Sequence, residues 1–501
     1  MKYDVVILGS SINGMTSAAY IAKQGLKVAV IDKNNFTGGI AGSREINTTN
    51  GSRKTRGILQ DTSTYSKKVF QDLNLSEFGL KKQKKRTAIP SKGKPFVLSD
   101  MQSSAENLEN SSDVDSYKKF CDFMKLYTPM VQKTMTHELP NISNLNISTA
   151  WEVGGLGLSL RTKGKRAMNE LLRAVPMCSA DFLNEYFEND ALKAGLAVPS
   201  VTGNLLGPWS PASNAMLICY YALSGEEVVG GPSELVDGLE KKCKKLGVDF
   251  LMGETVQKIQ TKEDKVVGLE MQDGNVMPVR ALMSALDVKT TFLKKLDRCP
   301  FKVRKRIENF RMRGTTAHID FFLNDIDLNY FEEHGVNRLH ICESLDGIEQ
   351  SFDPIKYKAL PERPLIELVY SKEYKHVSAL VHFVPYELEG GWNESSKSAL
   401  TKTVVHTIGE HVQGFSDSIQ DSHVYSPIDI ESDHELWGGQ IQYGEFGLDQ
   451  AIMRPIPELT DNTTHLDNLF LCSESQHPGG LLTGIAAKLA SQKLLKKIKS
   501  L

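Results

Sequence analysis

The chain has 501 residues, more than one ordinary hydrophobic core supports, so it predicts two closely joined domains. Apolar residues make up 40% and charged residues 24%, a globular composition, and a net charge of -2 gives no electrostatic reason for a nucleic-acid partner. No apolar run reaches the roughly 20 residues of a bilayer-spanning helix, and Asp4 ahead of the short Val5–Leu8 run does not read as a signal peptide.

The seven cysteines are widely spaced and none forms a CxxC pair, which points to reduced thiols in a cytoplasmic setting without a metal site. Triplets such as Asn141-Ile142-Ser143 then read as chance matches to a glycosylation signal.

Tyr3 to Leu8 is apolar and rich in β-branched residues, the pattern of a buried parallel strand. Ser11 to Gln24 reads as a helix whose small residues Ala18, Ala19 and Ala22 allow close packing, and Gly25 ends it. Lys27 to Ile31 is the next strand, with Asp32 at its carboxyl end. Phe36 to Thr64 is a long loop rich in Gly, Ser, Thr and Asn. Lys81 to Arg86 is a charge run that reads as a solvated strand edge before a hairpin in TAIPSKGKPFVLSD. Ser103 to Asp115 is a polar connection, and Asp115–His137 and Arg166–Lys193 are predicted helical.

A second α/β stretch starts at Gly230. Ser233–Leu246 has helical period, strands follow, and Gly274 marks a hairpin. The last strand is Asn468–Cys472, and the last helix starts near Leu482 or Thr483 and runs to about Lys499.

Three features in order describe a dinucleotide site. A strand ends in a tight Gly turn, a helix starts there so that its N–H groups meet a pyrophosphate, and an acid closes the second strand to bind a ribose. The turn here is Gly9-Ser10-Ser11-Ile12-Asn13-Gly14, and Asp32 lies about 20 residues on. Ser11 stands where the second Gly of GxGxxG is usual, a departure expected to weaken binding rather than abolish it. Asp32 disfavours a 2′-phosphate and so NADP, but it leaves NAD and FAD both open. The Gly38-Gly39 pair, which lets more backbone approach the cofactor, favours FAD. Near the C-terminus, a strand delivers Cys472 into a Pro478-Gly479-Gly480 turn and a helix, offering N–H groups where a reduced flavin gains negative charge. Lysines crowd the end of that helix. They read as dipole-complementing surface charge or as weak peripheral contact with an anionic membrane.

Several segments in order resemble the phytoene desaturase-like FAD-dependent oxidoreductases of the amine oxidase-like flavoprotein superfamily. The resemblance is closest to the branch of pyridine nucleotide-disulfide oxidoreductase domain proteins, related to retinol saturase and carotenoid isomerase. The segments are SSINGMTSAAYIAKQGLKVAVID, DFLNEYFENDALKAGLA, VVGGPSELVDGLEKKCKKLGVDF, MSALDVKTTF, HELWGGQIQYGEFGLDQAIMRP and LFLCSESQHPGGLLTG.

The resemblance implies an α/β fold: a Rossmann-like FAD-binding domain (1–75, 226–300 and 455–501) with an interleaved α+β substrate-binding domain (76–225 and 301–454). It implies that Gly9, Ser10, Ser11, Asn13 and Gly14 meet the FAD pyrophosphate and Asp32 the ribose, with Lys33, Gly38 and Gly39 following along the cofactor. Val256 would reach adenine through its backbone, Ser473 and Glu474 the pyrophosphate or ribityl chain, and Gly480, Leu481, Leu482 and Thr483 the flavin. Ser473 is a second serine where the family usually has Gly.

The implied activity is hydride transfer between a substrate carbon and flavin N5, of desaturase or saturase type, on a hydrophobic substrate of isoprenoid or carotenoid-like character. His477 is the candidate catalytic base, weighed equally against a histidine that only fixes the turn. Glu445 and Arg454 read as a structural ion pair more than a site pair, and Asp287 as a helix cap. Trp151, Trp209, Trp392 and Trp437 suit an apolar tunnel or simply core. The electron acceptor is left among oxygen, a quinone and a diffusing carrier, and the oligomeric state is open. Two alternatives stand beside this reading: a scaffold that has lost FAD through Ser11 and Ser473, and a redox-neutral isomerase.

Overall fold

A computed structural model describes the whole chain except residues 1, 49, 92, 100–104, 109–111, 139–163, 325–327, 452 and 500–501. Trp151, the Asn141 triplet and part of the polar connection from Ser103 therefore lie outside the described residues.

β1 (Val5–Leu8) is buried at every position, as its unbroken apolar run requires of a strand covered on both faces. It is the centre of a five-stranded parallel sheet. β2 (Val28–Asp32) and then Asp249–Met252 lie on one side; Ala281–Ser284 and then Leu469–Leu471 lie on the other. One neighbour of β1 is thus the next strand in the chain and the other, Ala281–Ser284, comes from a distant part of it. The crevice beyond the carboxyl ends of Leu8, Asp32 and Ser284 is the switch point where doubly wound sheets bind ligands.

α1 (Ile12–Ala22) leaves that crevice and buries nearly every residue. Its alanines let it sit against the sheet between the Pro232–Lys245 and Ile485–Lys497 helices, and together these bury Met15, Ile21, Leu235, Leu239, Leu489 and Leu494. Each such Leu or Ile contributes roughly 1.5–3 kcal/mol of transfer free energy.

A seven-stranded sheet forms the second layer. Its order is Ile419–Tyr425, Thr316–Leu323, His376–His382, Ile366–Ser371, Arg338–Ile341, Thr87–Ile89 and Phe96–Leu98. All pairings are antiparallel except that of Arg338–Ile341 with Thr87–Ile89. Successive side chains on a strand point to opposite faces. One face carries Ile319, Phe321, Leu339, Ile366, Leu368, Ala379 and Val381 and packs on the apolar side of the Glu394–Gly409 helix. The other face carries His318, Asp320, Arg338, His340, Glu367, His376, Ser378 and His382, all buried.

A helical layer covers the end of this sheet. Val114–Thr136 packs on Ser213–Leu223, and Phe120, Phe123, Phe182, Tyr186 and Phe187 cluster there with edge-on and tilted ring contacts. The predicted helix over Arg166–Lys193 is instead three helices: Lys165–Ala174, Ser179–Asn184 and Asp190–Val201. Pro176 follows the first, because the residue before a proline disfavours helix, and the side chains of Cys178 and Asn189 cap the next two. The hairpins at Thr87–Leu98 and around Gly274 form as predicted.

Candidate active site: a bent cleft between the two sheets

Gly9 holds φ at 101°, a left-handed conformation suited to glycine, and this turns the chain out of β1. A Cβ on Gly14 would collide with the Gly9 carbonyl oxygen, so Gly14 is what lets α1 start hard against the strand. Ser11 is the N-cap of α1, and its hydroxyl accepts from the Gly14 N–H at 3.3 Å. Its φ is -57°, which any residue adopts. The serine is therefore a capping residue in an unstrained place, so a weaker cofactor site, as expected from the missing Gly, would have no cause in its backbone conformation.

Asp32 is oriented by three donors. The Ser10 N–H and hydroxyl lie 2.8 and 2.7 Å from Oδ2, and the Asn34 N–H lies 2.9 Å from Oδ1. A carboxylate offers about four acceptor positions, so one remains for a ribose hydroxyl.

Two clefts meet at Ser11 and Tyr443. One, of about 570 Å³, runs past Gly9, Asp32, Lys33, Gly39, Val256, Asp287 and Lys295. The other, of about 990 Å³, runs past Asn13, Gly38, Glu474, Gly480, Leu481 and Leu482 to the polar face of the seven-stranded sheet. Of the residues the resemblance assigned to FAD, Ser10, Gly14, Ser473 and Thr483 are buried without lining either cleft; the other twelve line one or both. The Ser473 hydroxyl accepts from the Ser475 N–H and serves the turn. The Val256 carbonyl takes the Lys295 ammonium at 2.8 Å, and Lys33 donates to the Ser432 carbonyl at 2.7 Å.

The residues fit an extended dinucleotide. Near where the clefts join, Asn13 and Glu474 are buried and joined by a 3.0 Å hydrogen bond, yet Asn13 Oδ1 and Glu474 Oε2 have no protein partner. Hydroxyl or ring N–H groups of a bound flavin nucleotide would satisfy them. Burial pushes the Glu474 carboxyl up to about 7, against the opposing pull of Arg454 and Asn13.

The C-terminal turn is held from beneath by Arg454, which is fully buried and donates only to main-chain carbonyls, those of Ser475, Gln442 and Gly444. Burial lowers its pKa to about 10. Glu445 does not pair with Arg454. It binds Arg313 through two 2.6 Å hydrogen bonds and lies 3.5 Å from Arg311. His477 does not line the cleft; its Nε2 lies 3.0 Å from the Thr134 carbonyl, tying the turn to the helical layer. That placement suits the turn-fixing role and removes the geometric case for a base. The last helix begins at Ile485, three residues beyond Leu482, with Gly484 at φ 68° turning the chain into it. Leu481 and Leu482, rather than helical N–H groups, therefore face the cleft. Asp287 caps as expected, accepting from the Thr290 N–H at 2.9 Å.

Trp209, Trp392 and Trp437 do not line the cleft. Its apolar wall comes from Ile12, Ile40, Leu59, Met216, Leu380 and Ile441. Its far wall is polar, and this was missed in the sequence. Lys85, read as part of a solvated edge, is half-buried, its side chain 12% exposed. Its ammonium lies 2.6 Å from Asp61 Oδ2 and 2.6 Å from the Tyr220 hydroxyl, which donates to Asp61 at 2.7 Å. Burial pushes the Asp61 carboxyl up, but Lys85 and Arg338 outweigh it and the net direction is down. Glu367 accepts from Thr202 at 2.8 Å, and the ring nitrogens of His382 and His340 lie 3.0 and 3.3 Å from it. Burial raises its carboxyl, and the two histidines reverse that to well below the ordinary range.

A flavin containing amine oxidoreductase family model matches residues 12–487. The mouse pyridine nucleotide-disulfide oxidoreductase domain-containing protein 2 is 25% identical over 560 residues, covering 100% of this chain and 94% of the relative. A phytoene desaturase of Phycomyces blakesleeanus is 24% identical over 531 residues, covering 98% and 84%. A redesigned putrescine oxidase superposes with a TM-score of 0.62 at 12% identity over 99% of both chains, a likeness of fold. The Gly turn, the ribose acid, the joined clefts and the extent of the family match lead to one conclusion: the chain belongs to the flavin containing amine oxidoreductase family and is an FAD-dependent oxidoreductase.

Proposed function

We propose that the enzyme moves hydride between FAD and a carbon of a largely apolar substrate, in the manner of a desaturase or saturase. The observation that carries this reading is the 990 Å³ cleft, whose apolar lining is Ile12, Ile40, Leu59, Leu380, Ile441, Leu481 and Leu482. The likeness to a phytoene desaturase supports an isoprenoid body. When bound, the flavin supplies the hydride acceptor for desaturation or, reduced, the hydride donor for saturation.

The chain's own part is positional. The Gly9–Gly14 turn and Asp32 fix one end of the nucleotide. Asn13 and Glu474 hold its middle, and the apolar walls exclude water and seat the substrate carbon. The proposal includes the discontinuous division at residues 75, 225, 300 and 454, which assigns the five-stranded sheet to FAD and the seven-stranded sheet to the substrate.

Purified protein should be yellow, and anaerobic titration with isoprenoid hydrocarbons and their oxygenated derivatives should bleach the flavin. Product two mass units lighter marks desaturation. Unchanged mass with a new double-bond geometry would replace the proposal with isomerisation. A colourless protein that takes up no FAD would overturn it. The scaffold alternative loses its motive, since Ser11 caps a helix and Ser473 closes a turn without lining the cleft.

A further inference from the structure

The apolar cleft does not end in apolar residues. Strand alternation places Arg338 and His340 on one side of a cross-strand pair, and Glu367 and His382 on its neighbours, all buried on the inward face. A pure hydrocarbon gains nothing from such a wall. Three groups there have hydrogen-bonding capacity that the described residues leave unused.

His340 is 5% exposed, lines the cleft, and its Nδ1 has no protein partner; its Nε2 lies 3.3 Å from Glu367 Oε2. Gln60 is 7% exposed and lines the same cleft. Its amide nitrogen is committed to the Ser378 carbonyl and hydroxyl at 3.1 and 3.2 Å, so its orientation is fixed and Oε1 remains a free acceptor. Lys85 has three donors and uses two, on Asp61 and Tyr220.

Resting on the reading of an apolar-bodied substrate, we propose that this substrate ends in a hydroxyl group received by Gln60, Lys85 and His340. A hydroxyl both donates and accepts, and so can accept from Lys85 while it donates to Gln60 Oε1 or to His340 Nδ1, which is the acceptor nitrogen when Nε2 carries the proton towards Glu367. The other head groups fit less well. A carboxylate would face Gln60 Oε1 and the carboxylates of Asp61 and Glu367. An ammonium would face Lys85, and the nearby carboxylates already have partners: Asp61 takes Lys85, Tyr220 and the Ser63 N–H, and Glu367 takes Thr202 and His382 on Oε1, with His340 Nε2 3.3 Å from Oε2. Tyr220 holds Lys85 in place, because its hydroxyl accepts from Lys85 and donates to Asp61.

The test is binding to the full-length flavoprotein under anaerobic conditions, measured by equilibrium dialysis and by perturbation of the flavin absorbance. The probes are a matched set: farnesene, farnesol, farnesal, farnesoate and farnesylamine. Farnesol should bind at least about tenfold tighter than farnesene. Gln60→Leu and His340→Phe should each remove most of that margin while leaving farnesene affinity and flavin content unchanged. Equal affinity for farnesene and farnesol overturns the hydroxyl site and leaves the apolar-bodied reading standing. Tightest binding of farnesoate, farnesal or farnesylamine overturns it in favour of that head group. No binding of any probe to a fully flavinylated protein overturns the apolar-bodied reading itself. The comparison among ligands uses the unmodified chain, so it decides the matter even where a variant fails to fold.

Discussion

Glu474 sits where an acid is costly: buried, hydrogen bonded to Asn13, and with one oxygen unpartnered. Its ordinary pKa near 4.5 rises to about 7 in the folded chain. The folded state therefore holds a proton that the unfolded state releases. Stability of the flavin-free protein is full below about pH 4.5, falls as pH rises towards 7, and is flat above. Glu474→Gln should flatten this profile; denaturant midpoints across that range, compared between the two proteins, provide the check, and parallel profiles would refute the assignment.

Ser11 makes the opposite prediction, of a small effect. Ser11→Gly removes a cap at a cost of a few tenths of a kcal/mol, and FAD affinity should stay within about threefold. A much tighter glycine variant would mean that the side chain does obstruct the nucleotide.

At the level of elements, the inward strand face is a set of coupled buried charges. Arg338 and Glu227 lie 3.0 Å apart and are both almost wholly buried. Removing one partner of such a pair costs about 3–5 kcal/mol, because the other is left buried and unpaired. Glu227→Ala should show that loss in chemical denaturation, and Glu227→Ala with Arg338→Met should recover most of it. An additive double variant would mean that the two do not interact.

These same strands show where sequence reading runs out. The parallel strands near residues 5, 28 and 469 were legible because both faces are buried and their residues are uniformly apolar. The Gly turn and Asp32 were legible because backbone geometry demands those residue types at that spacing. RLHI, IELVYS and HVSALVH alternate polar with apolar, the pattern of strands with one solvated face. Here the polar face is buried against a cleft, and only the tertiary arrangement distinguishes the two cases. Lys85 was misread for the same reason. A lysine in a run of lysines has no local mark of burial, and its partners Asp61 and Tyr220 are 24 and 135 positions away. The Arg454–Glu445 pairing failed because Glu445 binds Arg313 from another segment, while Arg454 donates to the main-chain carbonyl of Gly444 next to it.

On the scale of the molecule, the two sheets share one cleft, so a ligand in it should stabilise both. FAD at about 100 times its Kd adds roughly 3 kcal/mol to a state that alone binds it. Trp209, Trp392 and Trp437 all lie outside the five-stranded sheet, while flavin fluorescence reports from the nucleotide cleft. Thermal unfolding followed by the two signals should coincide and shift upward together when FAD is added. Tryptophan signals that stay put would mean that the layers melt independently. Among the described residues, no helix is long and apolar enough to cross a membrane. On the last helix, Lys488 and Lys493 are engaged with Asp72 and Glu138, at 2.9 and 3.1 Å.

The hydrogen bond from Asn13 to Glu474 joins residues 461 positions apart. During translation, the first βαβ unit leaves the ribosome with its phosphate turn complete but with nothing to close the cleft over a cofactor. The strand at Leu469–Leu471, the Glu474 carboxyl and the Leu481–Leu482 wall are made only after the other strands of both sheets. Flavin cannot template the early folding of this chain. A closed cleft forms only once that late segment has been made, and until then the nascent protein depends on its own apolar layers, or on a chaperone, to keep the long-range partners apart from other chains.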